Sequence, residues 1–155
     1  IPKLCDVFLR RAEMEMVRFS EWQAAINDLD RYLDCNPGHA DAFLKRGSLR
    51  DKMGDLKKAE SDFKSAIKAD PKFGQAYSNL AYTQLRSPRP NEKKIRKLLE
   101  KAVRYNQDLA RPHYTLCTMI KERDKAGARK HCEAYLRLEP AGDYATEAKE
   151  LLRSL

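Results

Sequence analysis

Four side chains in the C-terminal third are of the types that ligate metals or cross-link chains. His113 and Cys117 are four residues apart, which puts them on one face of a helix. His131 and Cys132 follow, and an antiparallel partner helix would turn Cys132 toward them. Thiolate and imidazole together suit Zn²⁺. The same two cysteines are also close enough in such a pair for a disulfide, or they could simply fill a core, as free cysteine commonly does. No CxxC pair strengthens the metal reading, so neither a metal nor another cofactor is expected. Cys5 and Cys35 have no evident mates. Four thiols without a dense framework fit a reducing, cytoplasmic compartment.

Other chemistry is sparse. Asp28, Asp30 and Asp34 crowd one segment and are expected to form its solvated face. There is no glycine-rich phosphate loop, no GxSxG and no HExxH, and the three histidines are spread along the chain. The expectation is a protein that is not an enzyme. The formal net charge is +8, unevenly placed: residues 1–39 carry five Lys/Arg against seven Asp/Glu, and residues 74–109 carry eight against three. The basic run Arg86, Arg89, Lys93, Lys94, Arg96, Lys97, Lys101 and Arg104 could meet RNA or another polyanion. It wraps a helix, however, and Glu92 and Glu100 interrupt it, so nucleic acid ranks behind an acidic protein partner drawn in by long-range steering.

The elements that position these residues are helices. Gly is limited to six and Pro to seven, and the prolines fall between apolar-periodic stretches. No alternating Val/Ile/Thr run suggests a strand. Pro37 and Pro71 lie 34 residues apart, preceded by Asp34-Cys35-Asn36 and Ala69-Asp70 and followed by Ala42-Phe43 and Ala76-Tyr77. Leu138-Glu139-Pro140 is a third echo. In the clearest unit, Phe43 and Gly47 share one helix, Gly54 sits in a turn, and Ala59, Phe63 and Ala66 form the stripe of a second helix before Pro71. A ring facing small residues packs densely, and Pro71 disfavours helix in the residue before it.

This pattern resembles the tetratricopeptide repeat family. The resemblance implies an all-α, right-handed solenoid of antiparallel helix pairs, with about four repeats and a C-terminal capping helix. The units would be 6–39, 40–73, 74–109 and 110–142, with the cap at 143–155. In the first, Trp22, Ala25, Leu29 and Tyr32 repeat the second-helix stripe and Ser20 is placed to cap it. Glu13 stands where the family has Gly or Ala, so the first helix should sit further out or at an altered angle. In the third, Tyr77, Leu80 and Ala81 match the first helix and Ile95, Leu99, Ala102 and Val103 the second. Its turn is two residues longer, and Gln107 replaces the closing Pro. In the fourth, His113, Leu116, Cys117 and Ile120 face Ala128, Cys132, Tyr135 and Leu136. Ala145, Ala148, Leu151 and Leu152 would cover the open end.

The resemblance also implies a concave groove, lined by first helices, that takes an extended peptide or a helix. Its candidate residues are Arg11, Lys45, Ser48, Asn79, Tyr82, Arg86, Arg111, Tyr114, Thr118 and Lys121. Among them Lys45, Asn79, Arg86, Arg111 and Lys121 would receive an acidic or C-terminal carboxylate segment, and Tyr82 and Tyr114 would anchor it. A chaperone-binding subfamily grips terminal carboxylates with Lys and Asn. Asn79 and Arg111 match that clamp, whereas Leu44, Ser48 and Thr115 depart from it. Self-association is open to an array with uncovered ends. No run approaches the about 20 apolar residues of a membrane span. The opening Ile1-Pro2-Lys3-Leu4 lacks the features of a secretory signal and reads as a start inside a longer protein.

Overall fold

The computed structural model describes residues 2–155; Ile1, on which part of the N-terminal reading rests, lies outside them. These residues form α1 (Pro2–Glu15), α2 (Trp22–Cys35), α3 (Ala40–Lys52), α4 (Leu56–Ala69), α5 (Gly74–Leu85), α6 (Glu92–Tyr105), α7 (Ala110–Ile120), α8 (Lys125–Leu138) and α9 (Ala145–Ser154). Helices pair as α1–α2, α3–α4, α5–α6 and α7–α8, each second helix packs on the next first helix, and α9 lies on α8. The result is an all-α solenoid.

Local chemistry sets the helix boundaries. The side chains of Asp55, Asn91 and Asp124 accept from the backbone N–H three residues on, at 3.2, 3.0 and 2.8 Å, and so start α4, α6 and α8. His39 caps α3 through Nδ1, which accepts from Ala42 N at 3.1 Å. Ser20 does not cap α2. A 3-10 turn at Phe19–Glu21 leads into that helix, and Glu21 occupies the cap position without a side-chain bond. Gly54 makes the α3–α4 turn with φ +85°, a conformation that suits a residue without Cβ. The stop expected to be weak at Gln107 is firm. Asn106 is extended and its Oδ1 accepts from Asp108 N at 3.0 Å, just as Asp70 Oδ1 accepts from Lys72 N at 2.9 Å. An Asx turn thus ends α6 where proline is missing.

Counting from these caps shows what each pair nests. In the second pair Gly47 faces Phe63, and a Cβ on Gly47 would come within 2.7 Å of the Phe63 ring. Ala81 faces Leu99 in the third, and both are fully buried. The first pair uses Phe8 and Ala12 in the roles of Phe43 and Gly47: the guanidinium of Arg11 lies 5.9 Å from the Phe8 ring, as that of Arg46 lies 5.5 Å from Phe43. The small residue is therefore Ala12, fully buried, and not Glu13. The turn after α1 carries the extra length that displaced the register, and exposed Glu13 instead pairs with Lys45 at 2.7 Å.

Two further expectations are corrected. Asp28 is 3% exposed and is held by the guanidinium of Arg11, while Asp30 accepts from Arg46 at 2.6 Å; only Asp34 of that trio is exposed. All four cysteines are cross-linked, Cys5 to Cys35 and Cys117 to Cys132. Two sulfurs bonded to each other cannot serve as thiolate ligands, which removes the zinc reading. The argument for a reducing compartment from unpaired thiols falls with it. Among the described residues no helix is long and apolar enough to cross a membrane.

Candidate functional site

Three consecutive first helices contribute to one concavity of about 200 Å³. Ser48, Asp51 and Lys52 come from α3, Asn79, Tyr82 and Thr83 from α5, and Arg111 from α7. The helix period explains the convergence: Asn79 and Tyr82 are three apart and share a face. Tyr82 donates or accepts with Thr115 Oγ1 at 3.0 Å, and the Arg111 guanidinium lies 4.2 Å from the centre of its ring. Burial pushes the Tyr82 hydroxyl above its ordinary pKa, against the smaller opposing effects of Thr115 and Arg111. The phenol therefore stays neutral at physiological pH and remains a hydrogen-bonding group.

The polar residues around it are tied across repeats. Asn79 Nδ2 donates to Ser48 Oγ at 3.2 Å, and Asn79 Oδ1 accepts from Gln75 at 2.8 Å. Asp51 accepts from Thr83 at 2.8 Å and pairs with Arg86 at 2.5 Å. Arg111, by contrast, has no carboxylate within ion-pair reach among the described residues, and it is exposed. Its guanidinium therefore keeps hydrogen-bond donors that no carboxylate among the described residues engages.

A second concavity, about 330 Å³, lies toward the C-terminal end between α7 and α9. Tyr114, Thr118 and Lys121 form one wall, and Glu147, Glu150, Leu151 and Ser154 the other. Tyr114 stacks on Tyr144, with ring centres 4.4 Å apart and planes 10° apart, so part of this tyrosine is already covered by the residue that caps the last helix.

The ten residues singled out in the sequence thus divide into groups. Ser48, Asn79, Tyr82 and Arg111 share the first concavity, with Arg86 beside it through Asp51. Tyr114, Thr118 and Lys121 share the second. Lys45 is held by Glu13 and Asp41, and Arg11 by Asp28. Asp51 and Thr83 were not foreseen as part of the site. Their role depends on contacts 32 and 35 residues away in sequence, which no local pattern reveals.

No protein-family model matches the chain. The mouse FK506-binding protein-like protein is 46% identical over 58 residues, 37% of this chain and 17% of that protein. Small glutamine-rich tetratricopeptide repeat-containing protein 2 of Mycosarcoma maydis is 35% identical over 72 residues, 46% of this chain and 20% of that protein. The matched part is a fifth or less of the length of these curated relatives. Among solved structures, YrrB, described as a TPR protein with an unusual peptide-binding site, superposes with a TM-score of 0.72 at 16% identity, over 95% of this chain and 75% of that one. The chain has the helix-pair solenoid fold of tetratricopeptide repeat proteins. The first TPR of Spaghetti (RPAP3), solved with the HSP90 peptide SRMEEVD, matches with a TM-score of 0.61 at 21% identity, over 74% of this chain and 94% of that one. In this array the nests between paired helices build the scaffold, and first-helix residues outside them line the two concavities, the second together with α9.

Proposed function

We propose that the array is a protein-interaction scaffold that holds a peptide or helix of acidic character along its first-helix face. It is a binding role without chemistry of its own. The carrying observation is Arg111, unpaired and lying over the Tyr82 ring at the edge of a concavity built from three repeats. Tyrosine and arginine are enriched where binding energy concentrates. Asn79, bonded to Ser48 and Gln75, forms a fixed polar floor beside this anchor. Tyr114, Thr118 and Lys121 extend the same side of the array toward the C-terminus. The peptide-binding descriptions of YrrB and of the Spaghetti domain support the general reading.

The terminal-carboxylate clamp fits less well. Leu44 packs with Phe63 and Leu80, and the Asn79 amide is already engaged at both ends. Selection from a random peptide display library, followed by affinity measurement on wild type and on Tyr82→Ala plus Arg111→Ala, tests the proposal. Selected peptides should be rich in Asp and Glu and bind the double variant at least about thirtyfold more weakly, since a binding hot spot is worth about 2 kcal/mol or more. Undiminished binding would place the ligand elsewhere, and peptides without acidic enrichment would remove the role given to Arg111.

A further inference from the structure

A cavity of about 490 Å³ lies away from the first-helix face, between α6 and α8, more than twice the size of the concavity at Tyr82. His113 and His131 line it, with Val103 and Ala134 as apolar wall. The two rings are joined Nδ1 to Nδ1 at 2.9 Å, and His113 Nε2 lies 3.2 Å from the Gln107 carbonyl. A carbonyl oxygen only accepts, so His113 Nε2 carries the hydrogen. A neutral imidazole has one N–H, so His113 Nδ1 must accept and His131 Nδ1 must donate. That leaves the lone pair of neutral His131 at Nε2, to which no group among the described residues bonds. Protonating His131 would add an Nε2–H without breaking either existing bond.

Three cations line the same cavity: Arg104 from α6 and Lys130 and Arg137 from α8. None has a carboxylate at ion-pair distance among the described residues, and all three are exposed. Glu100 and Glu133 line it too, and Glu100 is 3.7 Å from Arg96. These carboxylates break any continuous track of positive charge, which suits one compact anion better than a phosphodiester strand.

We propose that this cavity binds a sulfate- or phosphate-like dianion, held by Arg104, Lys130 and Arg137 and by a hydrogen bond from Nε2 of protonated His131. Binding takes one proton from solvent onto His131. In the free protein His131 is held below its ordinary pKa, first by burial, then by His113 and Lys130, with Asp124 opposing them. Glu100, Arg104, Glu133 and Arg137 complete the charged surroundings from the two packed helices. A bound dianion adds the opposite influence, so affinity should rise as pH falls.

Inorganic sulfate is the cleanest probe, because its charge is constant between pH 5.5 and 7.5, on the order of the range where histidine titrates. Calorimetric titration at fixed ionic strength should show one saturable site whose affinity rises by up to about tenfold per pH unit lowered. His131→Asn should flatten that dependence. Lys130→Gln plus Arg137→Gln, both at exposed positions, should weaken binding about tenfold at every pH while leaving the circular dichroism unchanged. Phosphate should compete with sulfate. The proposal is overturned if no saturable binding is seen, if the double variant binds as wild type does, or if the pH dependence survives His131→Asn. It is also overturned if short RNAs bind with affinity that grows with length while sulfate fails to compete, which would mark an extended polyanion surface.

Discussion

The first two helix pairs and the last two share one geometry but lock it differently. At equivalent positions, seven residues past each helix cap, the second pair sets Arg46 against Asp62, the third Leu80 near Leu98, and the fourth Leu116 and His131. The first pair matches the second, with Arg11 on Asp28. The next position carries the nest: Gly47 on Phe63, Ala81 by Leu99, and in the fourth pair the Cys117–Cys132 bond itself. In the N-terminal half, Arg11, Arg46 and Arg50 are consumed within the fold. In the C-terminal half apolar and covalent contacts take those positions, and Arg104 of α6 and Lys130 and Arg137 of α8 have no ion-pair partner among the described residues. The same repeat can therefore spend its charge internally or leave it for a ligand, without changing the stacking.

The largest effect should come from breaking the charged lock. Asp62 is 2% exposed and accepts from Arg46 at 2.6 Å and Arg50 at 2.7 Å. Asp62→Ala removes the buried carboxylate of two partly buried guanidinium groups, leaving them only the half-exposed Asp30, and should cost about 3–5 kcal/mol in urea unfolding. Copying the third pair, with Arg46→Leu and Asp62→Leu together, should recover most of that loss, because a buried ion pair is commonly replaceable by packed apolar side chains. A double variant as unstable as Asp62→Ala would show that the two locks are not interchangeable.

Removing the covalent lock comes next. Cys117 and Cys132 are 15 residues apart, and a loop of that size contributes about 3 kcal/mol by limiting the unfolded chain. Cys117→Ala plus Cys132→Ala should lower stability by about that amount. Alkylation of the denatured, unreduced wild-type protein should find no free thiol; reactive thiols at Cys117 and Cys132 would return the fourth pair to a nest of two small residues.

Much of this architecture was legible in the sequence because the nest is written in side-chain size. Phe43, Gly47, Phe63 and Pro71 announce the second pair in one line of text. What escaped notice was set by turn length and by partners distant in sequence. A longer turn after α1 moved the small residue from Glu13 to Ala12. Cys5 and Cys35 meet only because their helix ends are adjacent across 30 residues. Of the proposed groove, Tyr82 and Arg111 could be named from the helix period, but that Lys45 and Arg11 are tied to carboxylates depends on rotamers and on neighbouring repeats.

The nests themselves can be compared by a smaller change. Gly47→Ala places a methyl group 2.7 Å from Phe63 Cε1 and should cost about 1–3 kcal/mol through overpacking. Ala12 and Ala81 tolerate that methyl because Leu29 and Leu99, not a ring, occupy the partner position. Gly47→Ala should accordingly be milder in a Phe63→Leu background, and the double-mutant cycle reads the coupling directly. Additive costs would mean that Gly47 is set by something other than the ring.

The smallest effect separates the halves by pH. Burial holds His113 and His131 below the ordinary histidine value of 6.5, so the folded state favours their neutral forms. Above pH 6.5 both states are neutral and this contribution is complete. As pH falls below that value the unfolded chain takes up protons first, so stability declines until the lowered folded pKa values are passed. Thermal unfolding should therefore show a modest loss between neutral and mildly acid pH that His131→Leu, which copies Leu98 of the third pair, reduces. Sulfate should restore part of the acid-specific loss in wild type, whereas in His131→Leu, which keeps Arg104, Lys130 and Arg137, it should stabilise alike at neutral and acid pH, since only the titrating ring couples proton uptake to the anion. Equal rescue in both would assign the acid sensitivity to other groups and sever the link between this imidazole pair and the cavity it lines.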